Sequence, residues 1–173
     1  METVHIVFSN DFVISREETP NFKMYEFYST ADPDQEWECP KPLIMAVQII
    51  RKWMEWPVII TSTFREFDTW GPHREGLAID FILKHGTQDM RPIYTNGEML
   101  QMFREEVIRY RNGEVSELVG KLRQVGITGF GLEPACIHLD CGDYGFNKRI
   151  PHKDVFGTYT IFEWNYTGLN RSI

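Results

Sequence analysis

The amino-acid sequence predicts a single α+β domain over residues 1–173, with a small, mostly antiparallel sheet and helices packed on one side. Three observations predict this class: one stretch with helical apolar spacing (42–55), one β-branched run (58–63) and one apolar strand with a carboxylate on one face (77–83). A chain of 173 residues is long enough to bury a stable core without disulfides or a structural metal.

The first half of the chain predicts two strand regions and one clear helix. Residues 4–9 (VHIVFS) are a strand candidate, and residues 22–28 (FKMYEFY) form a strand or an ordered aromatic segment. Residues 30–40 are acidic and contain a proline, which predicts a loop. The helix over 42–55 has its prolines just inside its start and just after its end, and its apolar residues recur at helical spacing: Leu43, Val47, Ile50 and Met54.

The middle of the chain predicts two strands joined by a loop over 64–74. The β-branched run 58–63 (VIITST) is typical of a buried strand, and Gly71-Pro72 marks a turn in the loop. In the strand over 77–83, Leu77, Ile79, Phe81 and Leu83 fall on one face, and Ala78, Asp80 and Ile82 fall on the other. The second face therefore presents a carboxylate beside a small side chain, which leaves room for a ligand.

The second half predicts a loop over 84–94, two helices and a strand pair. Thr95 and Glu98 have capping-box spacing and open a helix to about residue 111. A second helix over 114–125 ends at Gly126, with these residues facing inward: Val115, Leu118, Val119 and Leu122. Strands over 127–132 and 135–141 flank a turn at 133–134, and residues 155–166 predict a last aromatic strand or strand pair.

Composition and charge indicate which classes of binding partner the chain is not built for. The net charge of -7 argues against a general electrostatic footprint for nucleic acid. No apolar run approaches the roughly 20 residues of a membrane span. The first residues lack a basic region followed by an apolar one, so we expect no secretory signal and synthesis in the cytoplasm. We therefore expect neither a nucleic-acid nor a membrane partner. Our working expectation for the oligomeric state, which the sequence does not fix, is a monomer.

The candidate chemistry lies in His73, Asp80 and His138. Two histidines and a carboxylate are a common ligand set for zinc, with a fourth position left for water. A buried carboxylate without partners costs several kcal/mol, so Asp80 on a sheet needs a cation or hydrogen-bond donors. One alternative stays open, in which no metal binds and Asp80 and His138 hydrogen-bond each other.

Other candidate ligands have simpler interpretations. We expect the remaining histidines (His5, His85 and His152) to be surface residues. The odd number of cysteines (Cys39, Cys136 and Cys141) does not predict a disulfide framework. Cys136 and Cys141 flank His138, but small reduced thiols beside a strand explain them better than metal ligation.

The spacing of His73, Asp80 and His138, the last within an HLD strand, resembles the zinc D-alanyl-D-alanine carboxypeptidase family. That family includes phage L-alanyl-D-glutamate endolysins and shares its fold with the hedgehog signalling domain. The similarity covers most of the chain: residues 25–27 (YEF), 58–66 (VIITSTFRE) and 129–142 (GFGLEPACIHLDCG) all look like family segments. It implies a hedgehog/DD-peptidase-like fold.

The resemblance also implies roles. His73, Asp80 and His138 would be Zn2+ ligands, and Arg65 would bind a substrate carboxylate or steady the oxyanion. For Arg65, a surface salt bridge with Glu66 or Asp68 is the alternative. The implied activity is that of a zinc metallopeptidase hydrolysing a peptide bond in peptidoglycan stem or cross-link peptides, as a DD-carboxypeptidase or endopeptidase. A phage-encoded lysis protein or virion component acting on the cell wall fits a chain without a signal peptide.

The sequence departs from the family pattern at three places. Gly71-Pro72 replaces the Ser or Gln that many members have before the first histidine, and Thr63 replaces a glycine. Several members have an acidic residue three positions before the last histidine, where this chain has Ala135. The general base would then be Glu133 or Asp140. If neither serves, the alternative is a non-catalytic zinc-binding recognition module on the same fold.

Overall fold

Two small antiparallel sheets and one larger sheet account for the strands of this computed structural model. The structure describes residues 1–7, 12–29, 32, 34–68, 71–84, 92–93, 102–103, 105–106, 109–110, 112–132 and 136–142. Within this part of the chain the fold is α+β, as predicted. The predicted turn at 133–134 and the predicted last strand over 155–166 lie outside the described residues.

The N-terminal strands form two separate antiparallel pairs. The strands are β1 (Thr3–Ile6), β2 (Val13–Ser15), β3 (Thr19–Lys23) and β4 (Trp37–Pro40), with β1 on β4 and β2 on β3. A short 3-10 helix (Met24–Phe27) follows β3, so the ordered aromatic segment is part strand and part helical turn. The loop predicted over 30–40 was wrong at its end, because Trp37 and Cys39 are buried on either side of an exposed Glu38 in β4.

Helix α1 (Lys41–Met54) confirms the predicted helix. Its inward face buries the expected apolar residues at helical spacing: Leu43, Val47, Ile50 and Met54. Pro42 lies in the first turn, where its missing N–H removes no helical hydrogen bond. Glu55 adopts a left-handed conformation (φ 59°) and ends the helix.

The larger sheet has the order β5–β6–β9–β8, with β7 also paired to β6, and every pairing is antiparallel. Its strands are β5 (Val58–Ser62), β6 (Ala78–Lys84), β7 (Pro92–Ile93), β8 (Gly129–Leu132) and β9 (Ile137–Asp140). The strand predicted over 58–63 is present as β5, but it is only partly buried. Val58 and Thr63 are buried, whereas Thr61 is exposed and β5 ends the described strand order. The loop predicted over 84–94 was wrong at 92–93, which pair with β6.

Helix α2 (Glu117–Gln124) begins three residues later than its predicted start at 114. Ser116 caps it, because the Ser116 hydroxyl accepts a hydrogen bond from the Val119 N–H at 3.2 Å. Val115, predicted to face inward, lies before the cap and is 92% exposed, whereas Leu118, Val119 and Leu122 are buried as expected. Residues 102–103, 105–106 and 109–110 are helical, which agrees with the helix predicted there.

One core serves the helices and the larger sheet. Its buried apolar side chains include Phe27, Leu43, Ile50, Phe81 and Leu122. Within the described residues, no helix is long and apolar enough to cross a membrane.

Candidate metal centre

The sheet register places Asp80 and His138 side by side. Asp80 of β6 pairs with His138 of β9, and the same row continues to Ser62 of β5 and Gly131 of β8. Directly paired residues of antiparallel strands project from the same face of a sheet. Asp80 and His138 therefore stand together on the face opposite Ile79 and its apolar neighbours, as the alternation of β6 predicted.

His73 reaches this face from the loop before β6. Its carbonyl oxygen accepts hydrogen bonds from the N–H groups of Arg65 (3.1 Å) and Gly76 (3.2 Å), which ties the loop to the end of β5. Gly76 has a φ of +68°, and an added Cβ would lie 3.4 Å from the Trp37 ring. Glycine adopts this left-handed conformation without steric cost. The tight turn therefore fixes the distance between His73 and Asp80.

Three donor atoms converge at the centre of the site. His73 Nε2 lies 3.1 Å from Asp80 Oδ1, His138 Nδ1 lies 2.8 Å from the same oxygen, and the two nitrogens are 3.3 Å apart. Zinc–ligand bonds of about 2.0–2.2 Å place two ligands of a tetrahedral ion roughly 3.3–3.5 Å apart. The two nitrogens have that separation, and the carboxylate oxygen would move outward by a few tenths of an ångström. These three residues therefore fit a metal ion.

The outer nitrogen of each imidazole faces an acceptor. His73 Nδ1 is 2.8 Å from the carbonyl oxygen of Thr63, and His138 Nε2 is 3.4 Å from Asp140 Oδ2. An outer N–H that donates to such a group leaves the inner nitrogen with its lone pair directed at the site. Histidines that bind metals almost always have this kind of outer partner.

The site is buried, and two carboxylates, those of Asp80 and Asp140, lie beside its histidines. His73 and His138 are 5% and 4% exposed, and Asp140 has no exposed surface. Burial lowers the pKa of His138, but the contacts with the Asp140 and Asp80 carboxylates outweigh it and raise the pKa to about 10. Burial raises the pKa of Asp80, but the hydrogen bonds with His138 and His73 hold it below its usual value. The local field therefore favours a cation between the three side chains.

Arg65 lies at the rim of the same site. Its Nη2 atom is 3.8 Å from Asp80 Oδ2, the oxygen that does not face the histidines, and its Nε atom is 3.4 Å from Asp68 Oδ2. The Arg65 side chain is 37% exposed, so the guanidinium borders both the centre and the solvent. The expected alternative, an ion pair with Asp68, is thus present together with the approach to Asp80.

Of the two candidates for the general base, the structure describes only Asp140. Asp140 lies on the same face of β9 as His138, but it is fully buried and contacts the outer edge of the imidazole. Glu133 lies outside the described residues. The cysteines are free thiols, and burial raises the pKa of Cys141 to about 12, as expected of small apolar residues.

Some supporting residues were not predicted. The carbonyl oxygen of Thr63 lies 2.8 Å from His73 Nδ1 and orients the ring. Trp37 packs against Gly76 and stacks on the Phe64 ring, with 5.8 Å between the ring centroids. The strand containing Trp37 had a visible signal, namely the alternation of Glu36, Trp37, Glu38 and Cys39. A backbone carbonyl gives no signal in the sequence.

Comparisons with known proteins add no relative. No protein-family model matches the chain, and the searches of curated proteins and of solved structures find no match either.

Proposed function

We propose that this protein is a zinc metallopeptidase with a hedgehog/DD-peptidase-like fold. The observation that carries the proposal is the convergence of His73 Nε2, Asp80 Oδ1 and His138 Nδ1, with both outer imidazole nitrogens turned toward acceptors. Two imidazoles and one carboxylate leave a fourth position open, which is the arrangement of catalytic rather than structural zinc sites.

The three ligands and Arg65 divide the chemistry between them. Zinc held by His73, Asp80 and His138 would lower the pKa of a water molecule and polarise an amide carbonyl. Arg65 would bind a terminal carboxylate of the substrate or the developing oxyanion, because its guanidinium lies beside Asp80 and remains partly open to solvent. Asp80 Oδ2 holds the guanidinium near the centre through charge attraction.

The proton acceptor in this proposal is Glu133. A general base must come within hydrogen-bond distance of the attacking water on the open side of the centre. Asp140 is behind His138 and has no exposed surface, which suits support of the imidazole better than contact with water. Glu133 precedes the first residue of β9, Ile137, by four positions in the sequence. In this proposal it approaches the centre from the segment before that strand.

We infer the substrate class from the family resemblance. It would be a peptide bond of the peptidoglycan stem or cross-link, cut in carboxypeptidase or endopeptidase fashion. A rim arginine beside the centre is consistent with a substrate that ends in a carboxylate. Release by phage lysis, or a place in a virion, would bring such an enzyme to the cell wall.

A second candidate is a zinc-binding recognition module without hydrolytic activity. Ala135 three residues before His138, where family members often carry an acid, together with the burial of Asp140, favours it. This module would keep the three ligands and Arg65 and use the cleft to bind.

The test measures metal content first and hydrolysis second. The full chain is dialysed against metal-free buffer, and zinc is quantified in the wild type and in His138→Ala. About one zinc per chain, lost in the variant, supports the centre; no zinc in the wild type contradicts both candidates.

Hydrolysis then separates the two candidates. Peptidoglycan fragments and synthetic stem peptides are incubated with zinc-loaded wild type, Glu133→Gln, Arg65→Gln and Arg65→Lys. The peptidase predicts product from the wild type, a loss of roughly 100-fold or more in Glu133→Gln, and a raised KM in Arg65→Gln that Arg65→Lys partly restores. Arg74→Gln, one residue from a ligand but exposed, is the matched control. Zinc binding with no product from any fragment favours the recognition module.

A further inference from the structure

Asp140 occupies an unusual place for a carboxylate. In the sheet it pairs with Ala78 on one side and Gly129 on the other, both small residues. It lies on the same face of β9 as His138, two residues away, and it has no exposed surface. A charged side chain this deeply buried is strongly unfavourable without partners, so its contacts identify what it does.

One oxygen of Asp140 faces the metal-ligand histidine. Asp140 Oδ2 is 3.4 Å from His138 Nε2, and this fully buried nitrogen has no hydrogen-bond partner of standard geometry among the described residues. The separation exceeds the usual N–H···O distance of about 2.9–3.0 Å, so a bond of standard length requires the two groups to approach by a few tenths of an ångström.

The other oxygen faces the body of the protein. Asp140 Oδ1 is 3.2 Å from the Thr128 hydroxyl, whose closest acceptor is the carbonyl oxygen of Gly142 at 2.7 Å. The Thr128 N–H also donates to the Asp140 carbonyl oxygen at 2.9 Å. The backbone of Asp140 is therefore fixed next to Thr128, and the two carboxylate oxygens face Thr128 on one side and His138 on the other.

We propose that Asp140 is a positioning residue that accepts the Nε2–H of His138 and so directs the Nδ1 lone pair at the metal. This inference rests on the proposed metal centre and deepens it. A neutral imidazole carries its proton on one nitrogen only, so the acceptor on the outer side decides which nitrogen can bind metal. Within this ligand pair the roles differ: a backbone carbonyl sets the tautomer of His73, whereas a charged side chain sets that of His138.

The first experiment uses the wild type. In zinc-loaded, nitrogen-15-labelled protein, long-range proton–nitrogen spectra of the imidazoles report which nitrogen of His138 carries a proton. The proposal predicts a proton on Nε2, slow to exchange with water, and zinc on Nδ1. A proton on Nδ1, or an Nε2 without a proton, overturns it even if every variant fails to fold.

The second experiment measures zinc affinity by competition with a chromophoric chelator. Asp140→Asn keeps the size of the side chain and removes the charge, and its amide can donate to Nε2 and favour the wrong tautomer. We expect affinity to fall about 10- to 100-fold, the usual effect of removing such a partner, and the cobalt-substituted absorption spectrum to change. Asp34→Asn, an exposed carboxylate far along the chain, is the charge-matched control with unchanged affinity.

The outcomes distinguish this inference from the proposed function. Wild-type affinity and an unchanged His138 tautomer in a folded Asp140→Asn protein overturn the positioning role but leave the metal centre intact. If the wild type binds no zinc, the metal centre itself fails. Weaker binding together with the predicted wild-type tautomer supports both.

Discussion

Replacing His138 by alanine removes the only imidazole that contacts two buried carboxylates in the described structure. The side chains of Asp80 and Asp140 are 13% and 1% exposed, and they lie 2.8 and 3.4 Å from the ring nitrogens of His138. Removing one partner of a buried ion pair leaves an uncompensated charge and costs about 3–5 kcal/mol. We expect His138→Ala to lower the free energy of unfolding of the metal-free protein by that amount, a large part of the roughly 5–15 kcal/mol typical of a folded domain. The loss should be close to ~5 kcal/mol if neither carboxylate takes up a proton.

Zinc adds a second, separable effect. At a free zinc concentration of 100 times Kd, binding stabilises the native state by about 2.7 kcal/mol, and His138→Ala should lose this increment as well. Urea titrations followed by tryptophan fluorescence, with zinc or with chelator, give both quantities. His5→Ala, at an exposed histidine, is the control and should keep the zinc-dependent increment. A loss below about 1 kcal/mol in chelator, or a zinc increment retained by His138→Ala, would refute this reasoning.

Three further predictions concern the scaffold. Gly76→Ala should destabilise the folded protein by about 1–2 kcal/mol because Gly76 has a left-handed φ, and it should weaken zinc binding. Gly120→Ala, where α2 has open space, should stabilise the folded protein by about 0.5–1 kcal/mol. The thermal unfolding temperatures of the two variants should therefore shift in opposite directions. Ser116→Ala should cost about 1 kcal/mol by removing the cap of α2, again measured by urea titration. The carboxylates of Glu38 and Glu36 raise the pKa of His5, so its NMR titration should lie above 6.5 and move down in Glu38→Gln. Because the folded pKa is raised, the stabilising contribution is fully present below about pH 6.5 and is lost as the pH rises through the folded value; no downward movement in Glu38→Gln would contradict it.

The site could be predicted from the sequence because its geometry follows from strand periodicity. Asp80 and His138 each occupy the less apolar face of an alternating stretch, and alternation fixes the face without knowledge of the register. The pairing of His138 with Asp80, rather than with a residue two places away, is the register between β6 and β9. These strands lie far apart in the chain, so tertiary packing sets their register and no local sequence signal predicts it.

The misassigned elements have a common physical cause. Residues 37–40 and 92–93 are strands only because a partner strand is available to each: β1 for the first and β6 for the second. Pro40 is the last residue of β4 and Pro92 is the first residue of β7. Proline is tolerated at such strand ends despite its missing N–H. The β1–β4 pairing joins residues 31 to 37 positions apart, and the β6–β7 pairing joins residues 8 to 10 positions apart. Each short strand depends on its partner, which local propensity cannot report.

Val115 illustrates a different limit. It continues the apolar spacing of α2 backward by one turn, which predicted an inward position. Ser116, however, takes the cap position and hydrogen-bonds both the Val119 N–H and the Glu106 carboxylate (2.7 Å), so the helix begins after it. The competition between a cap and an apolar spacing depends on the Glu106 contact, which joins residues ten apart and has no local signature.

Without a metal, the protons of the two histidines must satisfy all the acceptor atoms of the site. If a neutral His73 donates from Nδ1 to Thr63, its Nε2 lone pair faces Asp80 Oδ1 at 3.1 Å, and the two acceptors repel unless a proton from another group lies between them. A doubly protonated His138 can satisfy Asp140 from Nε2, but its single Nδ1 proton must then serve both Asp80 Oδ1 and His73 Nε2. One proton shared by two acceptors leaves part of a buried electrostatic demand unmet, whereas one divalent cation bonds to all three atoms at once. With His73 neutral, a divalent cation satisfies these three atoms better than hydrogen bonds alone. The measured stoichiometry of bound zinc decides between the two interpretations.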